Sequence, residues 1–418
     1  MLSFKLNRNN LFLLAMYVMV IGVNFGLFTR ITKIPTFWPS VILIIIITIF
    51  ANSVVLTSRS VLLTLLLFLV IIIYEYFNHF NGLPDVMTKP FGIFSIVFPY
   101  MLVAIIIENL LVLKRYSNTL LSQMGRFSLL IYILALFISV INEISHSGIM
   151  RSNFQDHQNL PVWLWTVSFG TLYSMPFILM AIVMLYKGKM SYLYVIIIVF
   201  SVIKSGFTIA LFVSGIGLLI ATLYRLGIKV FYFNLLIVMV VAVIGLYNTN
   251  AIVGFLPELP NTIYSEKSSD IIKIVNNINF IDMLASTRQG TYDASVNTII
   301  KYPFFGSGDF QDSGQHSYIL DRLSFIGFIG TFFYIVVLLT LYRKALLLIP
   351  KNAQKAYSYI FLTICILLIF NPIEWPDFWV SIFVILPSII VYLSNEEDSK
   401  YSLVENENNI YPRNEPIL

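Results

Sequence analysis

The stretch from Ser286 to Gly330 holds the densest group of side chains that could do chemistry. It contains Arg288, the glycine pair Gly306 and Gly308, and His316. A histidine can take a proton from an attacking hydroxyl near neutral pH, and an arginine can bind two phosphate oxygens. Glycines so spaced permit turns whose N–H groups hold an anion. The stretch therefore indicates proton transfer beside an anionic group; a simple turn and a solvated histidine are the alternatives.

Two further cations could bind the same anion. Lys204 separates two apolar runs, and Arg322 lies at the start of a later one. Lys204 and Arg288 would present two fixed positive charges, which suits a diphosphate because both of its phosphates stay charged at neutral pH. Arg322 could also bind this diphosphate. The alternatives are a Lys204 side chain that reaches water from the membrane edge and an Arg322 that anchors its helix at the interface.

Other polar and aromatic residues could contact a bound ligand. Arg151 and His157 share one loop, and Tyr292 and Tyr318 flank the glycine turn. A solvated loop explains Arg151 and His157 equally well. Four tryptophans near the ends of apolar runs are predicted to form a belt at the membrane interface. They are Trp163, Trp165, Trp375 and Trp379.

The composition determines the kind of scaffold that must position these residues. Of 418 residues, 58% are hydrophobic and 11% are charged, with a mean hydropathy of +0.85. Soluble proteins carry about 25% charged residues. The chain is therefore expected to be an integral membrane protein, and its net charge of +5 indicates loops beside anionic lipid rather than nucleic acid. The single cysteine excludes a disulfide framework, and we expect neither a metal nor a cofactor.

Apolar runs of roughly 20 residues predict an all-α, polytopic membrane protein with about twelve transmembrane helices. The predicted spans are 11–28, 38–57, 61–77, 91–113, 127–144, 163–186, 190–203, 206–224, 230–247, 324–342, 355–371 and 377–394. Four regions follow, namely nine spans in residues 1–247, one large loop in 248–323, three spans in 324–394 and an acidic, disordered tail in 395–418.

Basic residues predict the orientation of these spans. With the amino terminus inside, the short inner loops hold about fourteen lysines and arginines and the short outer loops about five. Both termini are then cytoplasmic, and the large loop is outside with all four histidines. Two short amphipathic helices are expected in that loop, of which the second begins near Tyr292 and stops before Pro303.

Together these residues resemble the signature region of the O-antigen polymerase and ligase superfamily, which includes the Wzy-type polysaccharide polymerases. The matching order is Arg288, Tyr292, Pro303, Gly306-Ser-Gly308, His316-Ser-Tyr318, then Gly327 and Gly330 opening a span. Lys204-Ser205-Gly206 is similar to the family's Ser-Arg-Gly segment, with lysine replacing arginine, and Ser317 stands where asparagine often follows the histidine. The motif covers a small part of the chain, and the rest of the resemblance is in the topology and the size of the protein.

The resemblance implies a metal-independent, inverting glycosyltransferase of the C-type membrane architecture. It would polymerise repeat units carried on undecaprenyl diphosphate into O-antigen, capsule or exopolysaccharide at the outer face of the bacterial cytoplasmic membrane. His316 would be the base, and Arg288 and Lys204 would bind the diphosphate. The possible contacts to the acceptor sugar would be Tyr292, Tyr318, Arg151 and His157. Besides this lipid-linked glycan, the resemblance implies membrane lipids and allows a chain-length regulator as partners.

Two alternatives remain at this stage. A ligase of the same superfamily shares the donor and the mechanism, and differs only in transferring the finished glycan to another acceptor. A lipid-linked oligosaccharide flippase or other transporter would be expected to show repeat symmetry, short loops throughout and charged residues in the middle of its spans.

Overall fold

The computed structural model describes residues 8–25, 37–80, 91–146, 149–150, 165–186, 188–205, 207–227, 293–308, 317–371 and 376–395. These residues form helices and short connections, and no strand occurs among them. The predicted all-α fold is confirmed for this part of the chain.

The helices are numbered in chain order. They are α1 Arg8–Asn24, α2 Phe37–Ala51, α3 Arg59–Phe80, α4 Phe91–Tyr116, α5 Asn118–Ser145, α6 Phe169–Leu185, α7 Met190–Ser205, α8 Thr208–Arg225, α9 residues 293–301, α10 Tyr318–Leu348, α11 Lys351–Phe370 and α12 Pro376–Asn395. A 3-10 turn, Ser53–Thr57, follows α2, and a π-helical turn, Ser381–Ile385, lies within α12.

Four of these helices are long and apolar enough to cross a membrane. They are Val97–Arg115 within α4, α5, α10 and α12, with 19, 28, 31 and 20 residues. Shorter apolar helices accompany them, and a helix lies on each predicted span within the described ranges. The run at 230–247 lies outside those ranges. A helical membrane protein fits these lengths, because roughly 20 helical residues match the thickness of the hydrocarbon.

Helices α4 and α10 pack side by side and run in the same direction. Tyr100 of α4 contacts Tyr334 of α10, with ring centroids 4.9 Å apart. Farther along both helices, Glu108 forms an ion pair with Lys344 at 2.7 Å. Lys114 then donates to the carbonyl of Leu347 at 2.7 Å, one of the last carbonyls of α10. We call this end of the bundle the Lys344 end and the opposite one the Gly327 end.

Helix α10 is folded into two halves at Gly327, residues 318–326 and 328–348. Gly327 has φ 64° and ψ −172°, a region that residues with side chains hardly enter. The rings of Tyr318 and Tyr334 are 6.0 Å apart, whereas an unbroken helix would separate the two residues by about 24 Å. The first half therefore folds back on the second. Residues 318–323, predicted as the end of the large loop, are thus helical and lie beside Tyr334.

Around Gly327, backbone N–H and C=O groups of α10 form hydrogen bonds with the segment 303–308. The four bonds, donor first, are Phe328 to Pro303 (2.9 Å), Ile329 to Phe304 (3.1 Å), Ser307 to Ser324 (2.8 Å) and Gly308 to Phe325 (3.0 Å). Lipid offers no hydrogen bonds, so each unpaired group at membrane depth would be costly. The segment 303–308 therefore makes the interruption of α10 possible.

Candidate functional site

The structure describes half of the residues predicted to form the site. Those described are Lys204, Gly306, Gly308, Tyr318 and Arg322. Those outside the described residues are Arg151, His157, Arg288, Tyr292 and His316. The convergence of Arg288, Lys204 and His316 therefore stays a prediction.

Arg322 lies inside the bundle, with 2% of its surface exposed. Its guanidinium carbon is 5.2 Å from the ring centroid of Tyr318 and 5.3 Å from that of Tyr334. Tyr100 of α4 contacts both tyrosines, and Trp379 of α12 contacts Tyr318. We call the five residues the Arg322 cluster. A side chain buried in this way does not reach the interface, so the interpretation of Arg322 as an interfacial anchor is wrong.

Aromatic rings form the walls of the Arg322 cluster. Trp379 lies 5.1 Å from Tyr100 and 5.6 Å from Tyr318, measured between ring centroids. The hydroxyls of Tyr100 and Tyr318 are hydrogen-bonded to each other. Cations are attracted to the faces of aromatic rings, and a planar guanidinium stacks on them well. The guanidinium thus lies beside two rings of α10, and rings from α4 and α12 pack against them. Tyr318 belongs to these walls, and its predicted contact with an acceptor sugar stays a prediction.

Several buried polar groups near the Arg322 cluster find no hydrogen-bond partner among the described residues. Trp379 Nε1 and Asn371 Nδ2 are such donors, on side chains that are 1% and 4% exposed. The carbonyl of Asn371 accepts from Tyr318 N at 3.3 Å, which places Asn371 against the cluster. The hydroxyls of Thr331 and Ser381 are also unsatisfied. Since leaving such a group unsatisfied costs about 1–3 kcal/mol, these groups indicate a ligand that brings acceptor oxygens.

Asp321 joins α9 to the start of α10. Its Oδ1 accepts from Ser295 Oγ of α9 at 3.0 Å, and its Oδ2 accepts from the backbone N–H of Ser317 at 3.1 Å. Ser317 Oγ in turn accepts from Leu320 N at 3.3 Å, so the first turn of α10 is capped reciprocally. Ser317 directly follows His316 in the sequence, and Asp321 therefore fixes the backbone next to the predicted base.

Removal of the Asp321 carboxylate is expected to release α9. Asp321→Ala should speed amide exchange of residues 293–301 at least about fivefold, since losing a buried acceptor costs about 1–3 kcal/mol. Asp321→Asn can keep both bonds and should exchange like the wild type. Ser295→Ala removes the bond to Asp321 Oδ1 and leaves the bond from Ser317 N to Oδ2, so its exchange should lie between that of the two Asp321 variants. Hydrogen–deuterium exchange of the purified protein measures this, and equal exchange in all four proteins would rule out the link.

Lys204 lies at the end of α7. Its ammonium nitrogen is 5.7 Å from the ring centroid of Phe200, and the side chain is half-buried. Phe207, just before α8, packs against Phe169 at the start of α6, with ring centroids 5.6 Å apart. The end of α7 and the starts of α6 and α8 therefore lie at the same end of the bundle.

A partly buried hydrogen bond connects this region to the Arg322 cluster. Ser168 Oγ, at the cap of α6, donates to the carboxylate of Asp377 in the first turn of α12. Gly170 packs against the same carboxylate, because a Cβ there would lie 2.4 Å from Asp377 Cγ. Asp377 precedes Trp379 by two residues. Lys204 and the Arg322 cluster thus share the Gly327 end of the bundle.

The glycine turn has positive φ as predicted, 74° at Gly306 and 73° at Gly308. Its N–H groups, however, donate to carbonyls: Gly306 to Tyr302 at 2.9 Å, and Ser307 and Gly308 to the first half of α10. These groups therefore do not face an anion. The glycine turn is therefore a structural turn and not an anion-binding one. It pairs with backbone groups of α10 at the point where that helix folds back.

Some residues of the Arg322 cluster carried a signal in the sequence and others did not. Arg322 follows Asp321 directly where an apolar run begins, and this charged pair at the start of a span is visible in the sequence. Tyr100 and Tyr334 are two of 24 tyrosines, many of them in apolar runs, so neither is conspicuous. Trp379 was predicted in the interfacial belt with Trp165, but both are buried, at 1% and 7% exposure, so this prediction is wrong for both.

Comparison with protein-family models gives no match to this sequence, and comparison with curated proteins gives none either. Within the described ranges, no group of three or more His, Cys, Asp or Glu side chains is arranged to hold a metal ion. A function is therefore inferred from the residues and their geometry.

Proposed function

We propose that this chain is a membrane glycosyltransferase of the Wzy type, which polymerises oligosaccharide repeat units carried on undecaprenyl diphosphate. The observation that carries the proposal is Arg322, a cation buried among apolar helices and enclosed by aromatic rings. Ionisable residues inside membrane helices are rare and mark sites where substrates or ions bind. A diphosphate would supply both the negative charge and the acceptor oxygens for Trp379 and Asn371.

The proposed reaction is a single displacement at the anomeric carbon of the donor. His316 takes the proton from a sugar hydroxyl of the acceptor, and that oxygen forms the new glycosidic bond. The bond between the anomeric carbon and the diphosphate oxygen breaks, so undecaprenyl diphosphate leaves with the bonding electrons. Attack from the opposite face inverts the configuration. Diphosphate is a good leaving group, and this scheme uses no metal ion or cofactor.

Three cations would stabilise the leaving diphosphate. Arg288 and Arg322 can each bind two oxygens, and Lys204 adds a point charge. Stabilisation of the charge that develops on the leaving group commonly contributes more to catalysis than any other single effect. Lys204 and Arg322 lie at one end of the bundle, which supports a shared site. Tyr292, in the loop, is assigned to the acceptor sugar.

The acceptor contacts proposed for the loop before α6 are Arg151 and His157, which follow α5. Asn142 near the end of α5 donates to the Trp165 carbonyl at 2.6 Å, and Ser139 accepts from Val167 N at 2.9 Å. This loop therefore begins and ends at the Gly327 end, where the Arg322 cluster lies. The position supports a role for its polar residues in binding the second sugar.

The proposed topology has twelve spans with both termini in the cytoplasm of a bacterium. Lys114 and Lys344 mark the basic, inner end, and the Gly327 end faces outward. Helix α8 runs toward the inner end, since Tyr224 near its end contacts Tyr359 of α11 at 5.9 Å between ring centroids. Helix α9 lies at the outer end. A ninth span at 230–247 would connect the end of α8, on the inner side, to α9, on the outer side.

A gel of surface polysaccharide from a deletion strain tests the proposed activity. A polymerase deletion should leave lipid core capped by a single repeat unit, and the plasmid-borne gene should restore the long ladder. Bare core would instead indicate the ligase, and accumulation of repeat units on the inner leaflet would indicate a flippase. An unchanged ladder would exclude all three functions.

A further inference from the structure

A band of exposed apolar side chains lies on residues 300–305. Ile300, Phe304 and Phe305 have 73%, 64% and 58% of their surfaces exposed. Contiguous apolar side chains of this size mark a surface that another apolar phase covers. The segment was predicted as part of an extracytoplasmic loop, for which such exposure to water would be unfavourable.

The same band carries the residue types that prefer the edge of a bilayer. The ammonium of Lys301 lies 5.1 Å from the ring centroid of Tyr302, and Tyr302 is 36% exposed. Tyrosine is enriched where hydrocarbon meets headgroups, and lysine reaches from there to water. The mixture within 300–305 is typical of a segment seated at the interface.

The band lies next to the exposed apolar side of α10. In the second half of α10, Phe328 and Phe332 are 53% and 63% exposed. Phe328 N donates to the carbonyl of Pro303 at 2.9 Å, and Ile329 N donates to that of Phe304 at 3.1 Å. These bonds hold the band at the level where α10 begins its crossing. The backbone of residues 303–304 therefore lies beside Phe328, and both Phe304 and Phe328 expose their rings. Along a membrane helix, the phase that covers such rings is lipid.

We propose that residues 300–305 form a re-entrant anchor whose apolar side chains enter the outer leaflet beside Phe328 and Phe332. The hydrogen-bonded break at Gly327 satisfies the backbone there, which irregular structure at membrane depth requires. The anchor holds this end of the large loop at the depth of lipid phosphates. The inference does not depend on the glycosyltransferase assignment.

Spin-label accessibility tests the anchor. Cys365 is the single cysteine, so Cys365→Ser gives a background in which each new cysteine is unique. Ile300→Cys and Phe305→Cys, both at exposed positions, would be labelled with a nitroxide in lipid nanodiscs. Collision with oxygen, which concentrates in hydrocarbon, is compared with collision with a water-soluble nickel chelate. Both labels are expected to favour oxygen.

Two control positions calibrate the measurement. Phe332→Cys reports the hydrocarbon, and Lys351→Cys, on an exposed residue at the start of α11, reports water. An oxygen-to-nickel ratio at 300 and 305 near that of Phe332→Cys supports the anchor. A ratio near that of Lys351→Cys overturns it, and so does poor access to both reagents, because the latter would mean that protein covers the band.

Discussion

Replacing Arg322 with glutamine is expected to reduce glycan polymerisation at least about 100-fold, the usual effect of losing one donor that stabilises developing charge. Glutamine keeps much of the length of the side chain but neither the charge nor the fork. Arg322→Lys should retain partial activity, since it keeps the charge but contacts one oxygen at a time. Trp379→Phe keeps the ring and removes the Nε1 donor, so its loss should be smaller than that of Arg322→Gln.

The matched control for Arg322 is Arg225→Gln, the same change at an exposed position at the end of α8. The surface-polysaccharide ladder and the thermal stabilisation of purified protein by undecaprenyl diphosphate are both measured. Arg225→Gln should behave as wild type in both. If Arg322→Gln kept a full ladder, or were stabilised by the lipid as strongly as wild type, the diphosphate site would not lie at the Arg322 cluster.

Gly327→Ala is expected to destabilise the protein more than the same substitution at Gly227 or Gly215. The backbone conformation of Gly327 costs a residue with a side chain about 1–3 kcal/mol. In addition, the new Cβ would lie 2.4 Å from the backbone of Phe304 and Phe305, which cannot rotate away. Gly306→Ala should act similarly, because its Cβ would lie 2.3 Å from the Phe325 carbonyl oxygen.

Gly215, in α8, and Gly227, just after it, serve as controls. They separate the two causes of the lost stability, which are the backbone conformation and the steric contact of the new Cβ. Gly227 has φ 69° but nothing within 4 Å of an added Cβ, so Gly227→Ala measures the cost of the backbone conformation alone. Gly215 has open space and no positive φ, so Gly215→Ala should be neutral or slightly stabilising. Melting temperatures in detergent rank the variants. A Gly327→Ala protein no less stable than Gly227→Ala would mean that the contact with residues 303–308 does not hold α10 in its folded form.

Much of the scaffold follows from the sequence for simple physical reasons. Apolar runs long enough to cross a bilayer must be helical or barrel-forming, and the high helical content of residues such as 169–185 follows from that constraint. The helix before Pro303 ends at residue 301, as a proline would require. The positive φ of Gly306 and Gly308 was likewise indicated by their residue type.

The fold of α10 could not be read from hydropathy. The sequence indicates that Gly327 and Gly330 open a span. A glycine within an apolar run is compatible with a straight helix, so it does not by itself predict that the chain reverses. The reversal depends on backbone partners in residues 303–308, about 20 residues earlier, and on the rings of Tyr100 and Trp379 from other helices. Such long-range contacts leave no periodic pattern in the sequence.

The same contacts explain why the sequence allows two interpretations of Arg322, as an anchor at the interface or as a ligand of a diphosphate. At the start of a straight span, an arginine would lie at the interface and reach water. Because the chain turns back at Gly327, residues 318–326 lie within the bundle and bring Arg322 to the level of Tyr334. The interrupted helix thus converts an interfacial position into a buried one, and the proposed diphosphate site depends on that burial.

Turnover by the purified protein in lipid bilayers tests the proposed polymerase most directly. The substrate is a lipid-linked repeat unit with a radiolabelled sugar, and both glycan length and free undecaprenyl diphosphate are measured over time. We expect a ladder of lengthening glycan with one undecaprenyl diphosphate released for each new linkage, and the loss of both in Arg322→Gln. Labelled substrate that stays monomeric with the wild-type protein, or a ladder that forms equally well with Arg322→Gln, would contradict the proposed polymerase.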